Sequence, residues 1–400
     1  MHLVVVGGGG AMGRITVRAL AEDPRVTRIT IADARLTAAE RTREWLVQGR
    51  DKAHPVDCDV RDEPALAGIL AGAGAVLNAT DYPFNMEVMR AALAARVPYA
   101  DLGGLFHMTR RQYELDAAFR EAGITGVLGI GSTPGITNLL ARVAADQLDT
   151  IERLDVRIGS GDLRPASAPF IPPYSIRTIF DECTLPPMVY RDGEWSAVPP
   201  MSGQEPIEFP APIGRVTAMY TLHSEVALFP VSFRDKGLRH ASFKIAFPES
   251  FLTQLRLLVD LGLAGTEPVD VRGAESGMVV RAAPREMLVA LLSARQGASG
   301  TASDPDDCDV LRVVAEGTRH EQPAQLIEEV VVLPYKPWGV GAGDIDTGVP
   351  LAIAGILLAS GKATAAGVFG AEMVFDPREF LRELAPYGMR PTETTIRQLD

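Results

Sequence analysis

The first residues able to do chemistry are Gly8-Gly9-Gly10-Ala11-Met12-Gly13. They follow the apolar run Leu3-Val4-Val5-Val6 and precede a stretch of helical composition from Arg14 to Glu22. The spacing GxGxxG between a strand and a helix cradles a pyrophosphate. In this reading Gly8 permits the tight turn, Gly10 removes the side chain that would block the phosphates, and Gly13 lets helix and strand approach. Ala11 and Met12 open the helix, whose free N–H groups and dipole favour an anion. Asp33 ends the next apolar run, about 20 residues on, where a carboxylate accepts hydrogen bonds from ribose hydroxyls. A carboxylate there repels a 2'-phosphate, so NAD is favoured. Arg35, beyond Ala34, leaves NADP possible. Asp59-Val60 follows a third run and borders the adenine end.

Ligands of such sheets bind outside the carboxyl ends of the strands. That rule brings Asn78-Ala79-Thr80, Asp81, Asp101 and the turn Gly131-Ser132-Thr133-Pro134-Gly135 to the nicotinamide end. Asn78 and Thr80 serve equally well as caps of the next helix.

These residues need an alternating scaffold, and the chain supplies one. Strands are expected at Leu3–Val6, Arg28–Asp33, Pro55–Asp59, Ala75–Ala79, Tyr99–Leu102 and Gly126–Ile130. Helices are expected between them, at Thr37–Gln48 with Thr37 as cap, Glu63–Leu70, Asn85–Ala95 and Thr109–Ala122. Alternation of this kind is an α/β fold, a Rossmann-type doubly wound parallel sheet. After a helix at Thr137–Gln147 the pattern changes. Leu154–Ile158, Arg215–Thr221, Ser242–Phe247, Asp309–Ala315 and Leu326–Leu333 alternate apolar and polar, as strands of an antiparallel or mixed sheet do. Asp192-Gly193 marks a hairpin. Helices are expected at Glu249–Leu261 and Arg285–Ala294, and a surface loop at Gln296–Asp307. The tail offers an apolar helix at Thr347–Ser360, with Pro350 in its first turn, and a helix at Glu372–Leu384. Three units follow: a Rossmann domain over 1–138, an α+β domain over 139–340, and C-terminal helices over 341–400 that return to the first.

The formal charge of -12 argues against nucleic acid and anionic membranes as partners. Three cysteines, Cys58, Cys183 and Cys308, are distant and lie in no CxxC pair. They read as reduced thiols of a cytoplasmic protein, and no histidine spacing suggests a metal. No leader is expected, and no apolar run approaches the roughly 20 residues that cross a bilayer.

The glycine turn, Asn78-Ala79-Thr80, Val97-Pro98-Tyr99-Ala100-Asp101-Leu102 and Gly131-Ser132-Thr133-Pro134-Gly135-Ile136-Thr137-Asn138 together resemble the saccharopine dehydrogenase-like family. So does the tail Thr347-Gly348-Val349-Pro350-Leu351-Ala352-Ile353-Ala354. Within it, Thr178–Val198 and Phe247–Leu263 look most like lysine 6-dehydrogenases. The resemblance implies a dehydrogenase acting on the C–N bond of an amino acid or amine. The open sheet of the middle domain has to cover its face, so a homo-oligomer, a dimer, is expected. Such C–N chemistry needs a base for the amine, a carboxylate near the cationic iminium and a cation for the substrate carboxylate. His223 is the candidate base. Asp101 and Asp81 are the candidate carboxylates, and Tyr99, Lys244 and Arg234 the substrate contacts. Relatives carry Arg-aromatic-Pro-Gly-His where this chain has Ala246-Phe247-Pro248-Glu249-Ser250, so lysine itself is not carried over. A saccharopine-type reductase and a catalytically silent NAD-binding regulator are the alternatives.

Overall fold

Six apolar runs become six parallel strands: β1 (His2–Val6), β2 (Arg28–Asp33), β3 (Ala53–Asp57), β4 (Ala75–Asn78), β5 (Tyr99–Asp101) and β6 (Thr125–Leu128). The computed structural model describes residues 1–164, 170, 172–273, 278–298, 305–363 and 365–397. The sheet order is β3-β2-β1-β4-β5-β6. Leu3 and Val5 enter one core, Val4 and Val6 the other, because successive side chains point to opposite faces. A strand buried on both faces has to be apolar throughout, as β1 is. The order reverses between β1 and β4, which opens a crevice at their carboxyl ends.

A seventh strand, Gly367–Gly370, pairs in parallel with β6. Nothing in its composition marks it as a strand. The expected helix over 109–122 is two, Leu105–Gln112 and Asp116–Ala122, parted after Gln112. The helix expected from Thr37 starts at Leu36, and no side chain caps it.

The second sheet runs in the order Glu205–Glu208, Arg215–Tyr220, His240–Ala246, Thr150–Asp162, Asp307–Arg319, Gln322–Val332, Thr392–Arg397. His240–Ala246 pairs in parallel with Thr150–Asp162, and the other neighbours are antiparallel. Asp192 (φ 51°) and Gly193 (φ 88°) make the hairpin turn between Met188–Arg191 and Glu194–Ala197, with both central residues at positive φ. Residues 165–169 and 171 of the proline-rich stretch lie outside the described residues, as does 299–304 of the expected loop.

The tail helix is longer than its composition suggested, Ala342–Ala359, and Pro350 lies in its interior. Its mean hydropathy of 1.4 over 18 residues meets the length and apolarity of a bilayer-crossing helix, contrary to the expectation that no run does. It is a core helix instead, since 78% of that stretch is buried inside the fold. It packs back onto the first domain. Thr16 Oγ1 donates to the Gly348 carbonyl at 2.8 Å. A Cβ on Gly348 would stand 2.5 Å from Ile15 Cβ, so glycine sets the close crossing. The expected helix at 372–384 is split because Asp376 caps a fresh start, accepting from Glu379 N at 2.7 Å with Pro377 as first residue. The chain then ends on the second sheet, not the first domain, through Thr392–Arg397.

Gly348→Val forces the two helices apart. Overpacking of this kind costs about 1–3 kcal/mol, and the thermal unfolding midpoint is expected to fall by several degrees while dinucleotide binding, measured on the folded fraction, persists.

Candidate active site

The glycine turn is built to hold a dinucleotide. The residue at positive φ is Gly7 (+75°), so the tight turn belongs there and not to Gly8. Gly8 is instead pressed on β2, where a Cβ would meet Ile31 Cγ2 at 2.7 Å. At Gly13 a Cβ would lie 2.2 Å from the Gly7 carbonyl oxygen, which explains the third glycine. A Cβ at Gly10 would meet only the Gly7 oxygen, at 3.2 Å, and otherwise projects into open space. That is the space a pyrophosphate needs beside the free N–H groups opening the helix Ala11–Glu22. Asp33 Oδ2 accepts from Gly9 N and Oδ1 from Arg35 N, both at 3.0 Å. The carboxylate is thus fixed beside the turn, with Ala34 and Arg35 exposed next to it. Asp59, with Val60 at the end of β3, is occupied by Arg61 at 2.6 Å, whose hydrogen bonds pull the carboxyl down to about 2.

Asn78, Tyr99 and Asp101 form one buried network. Asn78 Nδ2 donates to Asn85 Oδ1 (2.9 Å) and Tyr99 Oη (3.2 Å), and Asn78 Oδ1 accepts from Thr80 N and Oγ1. Tyr99 Oη donates to Asp101 Oδ2 at 2.8 Å. Gln112 Nε2 and the amides of Gly103 and Gly129 complete the Asp101 shell. Asp101 and Tyr99 are wholly buried. Desolvation pushes the Asp101 carboxyl up despite these bonds. The structure thus brings the two together at the ends of β4 and β5, tied by these hydrogen bonds and with no open surface of their own. Ala79 and Thr80 remain half-buried at the crevice edge. Asp81 is exposed and pairs with Arg177 of the second domain at 3.8 Å. Close by, Tyr82 Oη donates to Asp181 across the same seam at 2.7 Å.

The reactive cluster forms where the turn after β6 meets the second domain. His223 is nearly buried, its ring stacked on Phe243 with centroids 3.7 Å apart. Its Nδ1 is hydrogen-bonded to Glu225, and its Nε2 faces Glu182 Oε1 at 3.8 Å. Glu225 also accepts from Thr133 Oγ1 and, at 3.1 Å, from Thr137 Oγ1. Tyr174 Oη donates to Glu182. Burial opposes the imidazolium, but the Glu225 charge and hydrogen bond outweigh it, and the His223 pKa rises. Burial opposes the Glu225 carboxylate too, yet His223 carries its pKa down. Glu182 is pushed up to about 7 by desolvation, against the pull of His223. Beside this cluster Ser132 Oγ donates to Asp346 at 2.8 Å. Burial raises Asp346, and the neighbouring Asp309 carboxyl is pushed up to about 7. Two nearby buried carboxyls do not readily ionise together.

Lys244 and Arg234 do not belong to this cluster. Side chains alternate across a strand, so Phe243, which carries His223, and Lys244 point to opposite faces of the second sheet. Lys244 Nζ is bound to Glu205 at 2.7 Å on the outer face. Arg234 is exposed in a short turn of 3₁₀ helix. The residues that sequence reasoning passed over are Glu182, Glu225, Tyr174, Asp309 and Asp346. Glu225 stood two positions from His223 and was within reach of inspection. The others come from separate elements, and only folding unites them.

Residues 3–127 match the saccharopine dehydrogenase NADP binding domain and residues 131–389 the saccharopine dehydrogenase C-terminal domain. A carboxynorspermidine synthase of Vibrio alginolyticus is 24% identical, covering 97% of this chain and 96% of that one. A carboxyaminopropylagmatine dehydrogenase of Synechocystis is 26% identical over the same shares. Apo saccharopine dehydrogenase (L-Glu forming) from Saccharomyces cerevisiae superposes with a TM-score of 0.70 at 16% identity, covering 99% of both chains, which speaks for the fold.

The His223–Glu225 pair sets a pH signature. The raised imidazole adds stability that is full below its unfolded 6.5 and is lost as pH climbs through the folded value. The lowered carboxyl adds stability present above 4.5 and lost as pH falls. Thermal melts are expected to show the largest deficit of the His223→Gln/Glu225→Gln double variant between those two values, shrinking toward alkaline pH. A deficit that grows above neutrality would contradict the pairing.

Proposed function

The chain belongs to the saccharopine dehydrogenase family and is an NAD(P)-dependent oxidoreductase, and on that premise we propose that it makes or breaks the secondary amine joining an amino-acid carbon chain to a diamine or polyamine. The observation that carries this reading is a set of carboxyls at His223 and the turn after β6: Glu182 and Glu225 meet His223, and Asp346, bonded to Ser132 of the turn, has Asp309 beside it. An acid-lined cleft suits a substrate with several ammonium groups. The names of the two full-length relatives, both for carboxylated polyamines, support the same class. They weigh more than the middle-region likeness to lysine 6-dehydrogenases, and they favour the condensing, saccharopine-type alternative.

The chemistry divides among the residues as follows. A diamine nitrogen attacks a carbonyl carbon only as the free base, so a proton has to leave it. His223, with Nδ1 tied to Glu225, takes that proton on Nε2 from its neutral form and, as the imidazolium, returns it to the departing water. Glu182, with a pKa of about 7, exchanges it onward at neutral pH. The iminium that remains is cationic, and the surrounding carboxylates stabilise it. The nicotinamide, when bound, supplies the hydride in this direction and accepts it in reverse. The glycine turn with Asp33 fixes the adenosine half, and the carboxylate favours the free ribose hydroxyl of NAD. Arg177, bridging Asp81 and Glu286, holds the seam between the domains. A cytoplasmic homo-oligomer belongs to the same proposal; three buried cysteines without disulfides suit a reducing compartment.

Purified protein with NADPH, and separately NADH, is to be offered an α-amino acid bearing a chain-end aldehyde together with diamines of graded length. Nicotinamide absorbance is expected to fall only when aldehyde and diamine are both present. Reduction of NAD by lysine alone, or no turnover with any pair, would overturn the reading. His223→Gln is expected to lower kcat by about 10²- to 10⁴-fold with dinucleotide affinity unchanged. Asp33→Ala is expected to cut kcat/KM for NADH roughly tenfold more than for NADPH, the size of one lost hydrogen bond to a charged group. Equal losses with both dinucleotides would remove Asp33 from cofactor selection.

A further inference from the structure

The outer face of the second sheet, opposite His223, carries a groove of 560 Å³. Its floor holds two cations that are more than nine-tenths buried, Arg157 and Lys244, on neighbouring strands in register. Buried charge is costly unless paired. Both cations converge on a single carboxylate oxygen, Glu205 Oε2, at 2.7 Å from Lys244 Nζ and 3.2 Å from Arg157 Nε. Asp155 approaches Arg157 at 3.3 Å and is itself bonded by Ser242. Lys244 has three donors, and Glu205 is its one hydrogen-bond partner among the described residues. The Tyr220 ring closes its back at 4.5 Å.

The occupant of this arrangement is partly exposed and comes from the rim of the sheet. Glu205 begins the four-residue edge strand Glu205–Glu208, which among the described residues pairs only with Arg215–Tyr220. Its side chain is 39% exposed, against 8% for Lys244. The floor is therefore arranged around a carboxylate that a short edge strand delivers from outside. Arg153 and Arg191 also line the groove. With Glu205 turned away, four cations would face only Asp155 and Glu316 in a protein whose overall charge is -12. An incoming carboxylate restores the lost pairing and matches the planar guanidinium fork.

We propose that this groove is a second ligand site, separate from the dinucleotide crevice, that binds a small carboxylate by displacing Glu205 from Arg157 and Lys244. Glu205 acts as a tethered competitor with an effective concentration in the millimolar range. Removing it frees the floor for a ligand in solution.

Malonate is the probe, titrated by calorimetry at low salt into the full-length wild type, Glu205→Ala, Glu205→Gln and Lys244→Met, with inorganic phosphate in parallel. Malonate is expected to bind Glu205→Ala at least tenfold more tightly than wild type. Glu205→Gln, which keeps the side-chain volume, repeats the gain if the alanine variant folds poorly. Lys244→Met is expected to lose the binding, and His223→Gln to keep it, which separates this site from the crevice. Equal affinity of wild type and both Glu205 variants, or no binding in any of them, overturns the proposal. Phosphate binding as tightly as malonate overturns the carboxylate assignment.

Discussion

Glu225 is the group on which the site depends. It is fully buried, and its carboxylate meets His223 from its own segment and Thr133 and Thr137 from the turn and helix after β6. A lone carboxylate at that depth would cost several kcal/mol. It persists because an imidazolium and two hydroxyls repay the loss of water. The pairing also fixes which imidazole nitrogen is left over: with Nδ1 engaged, Nε2 is the nitrogen free to exchange a proton. One buried charge thus joins the second domain to the carboxyl end of the parallel sheet and sets the orientation of the His223 ring.

Around that contact the fold supplies rigidity in layers. The ends of β4 and β5 are tied by Asn78, Tyr99 and Asp101, so the crevice edge has little freedom. Ser232 and Asn138 share Glu372, which locks the segment after His223 to the helix that follows the Gly131–Gly135 turn. The helix Ala342–Ala359 lies against the helix that opens the dinucleotide turn, and Asp346 on it reaches Ser132. The glycine turn, the acid cluster and the tail helix are therefore packed as neighbours, although they span nearly the whole sequence.

What the sequence made legible follows from the reach of each signal. Local patterns were sufficient for the parallel sheet: β2, Glu63–Leu70 and Asn85–Ala95 stand where hydrophobic period and caps put them. The cofactor turn was legible because its determinants lie within six residues, and even there Gly7, not Gly8, takes the positive φ. Gly367–Gly370 was invisible, since a four-residue strand with two glycines owes its existence to the open edge of β6. The partners of Asp101 were illegible for a related reason: Gln112 and Gly129 reach its carboxylate only through the fold.

The strand His240–Ala246 shows most plainly where sequence reasoning stops. His223 and Lys244 are both polar residues close to the same strand, and chemistry alone offered them as one site, base and carboxylate clamp. The period of two separates them: Phe243 receives the His223 ring on the inner face, so Lys244 has to point outward. Choosing the face required knowing which side of the sheet the first domain covers, and that depends on contacts distant in sequence, such as those of Glu225 with Thr133 and Thr137. The inner face is apolar, with Val156, Phe243 and Ile245 in the core, and His223 meets its carboxylates above Phe243. The outer face keeps Arg157 and Lys244 around Glu205. The separation of the imidazole from the lysine is a consequence of that single alternation.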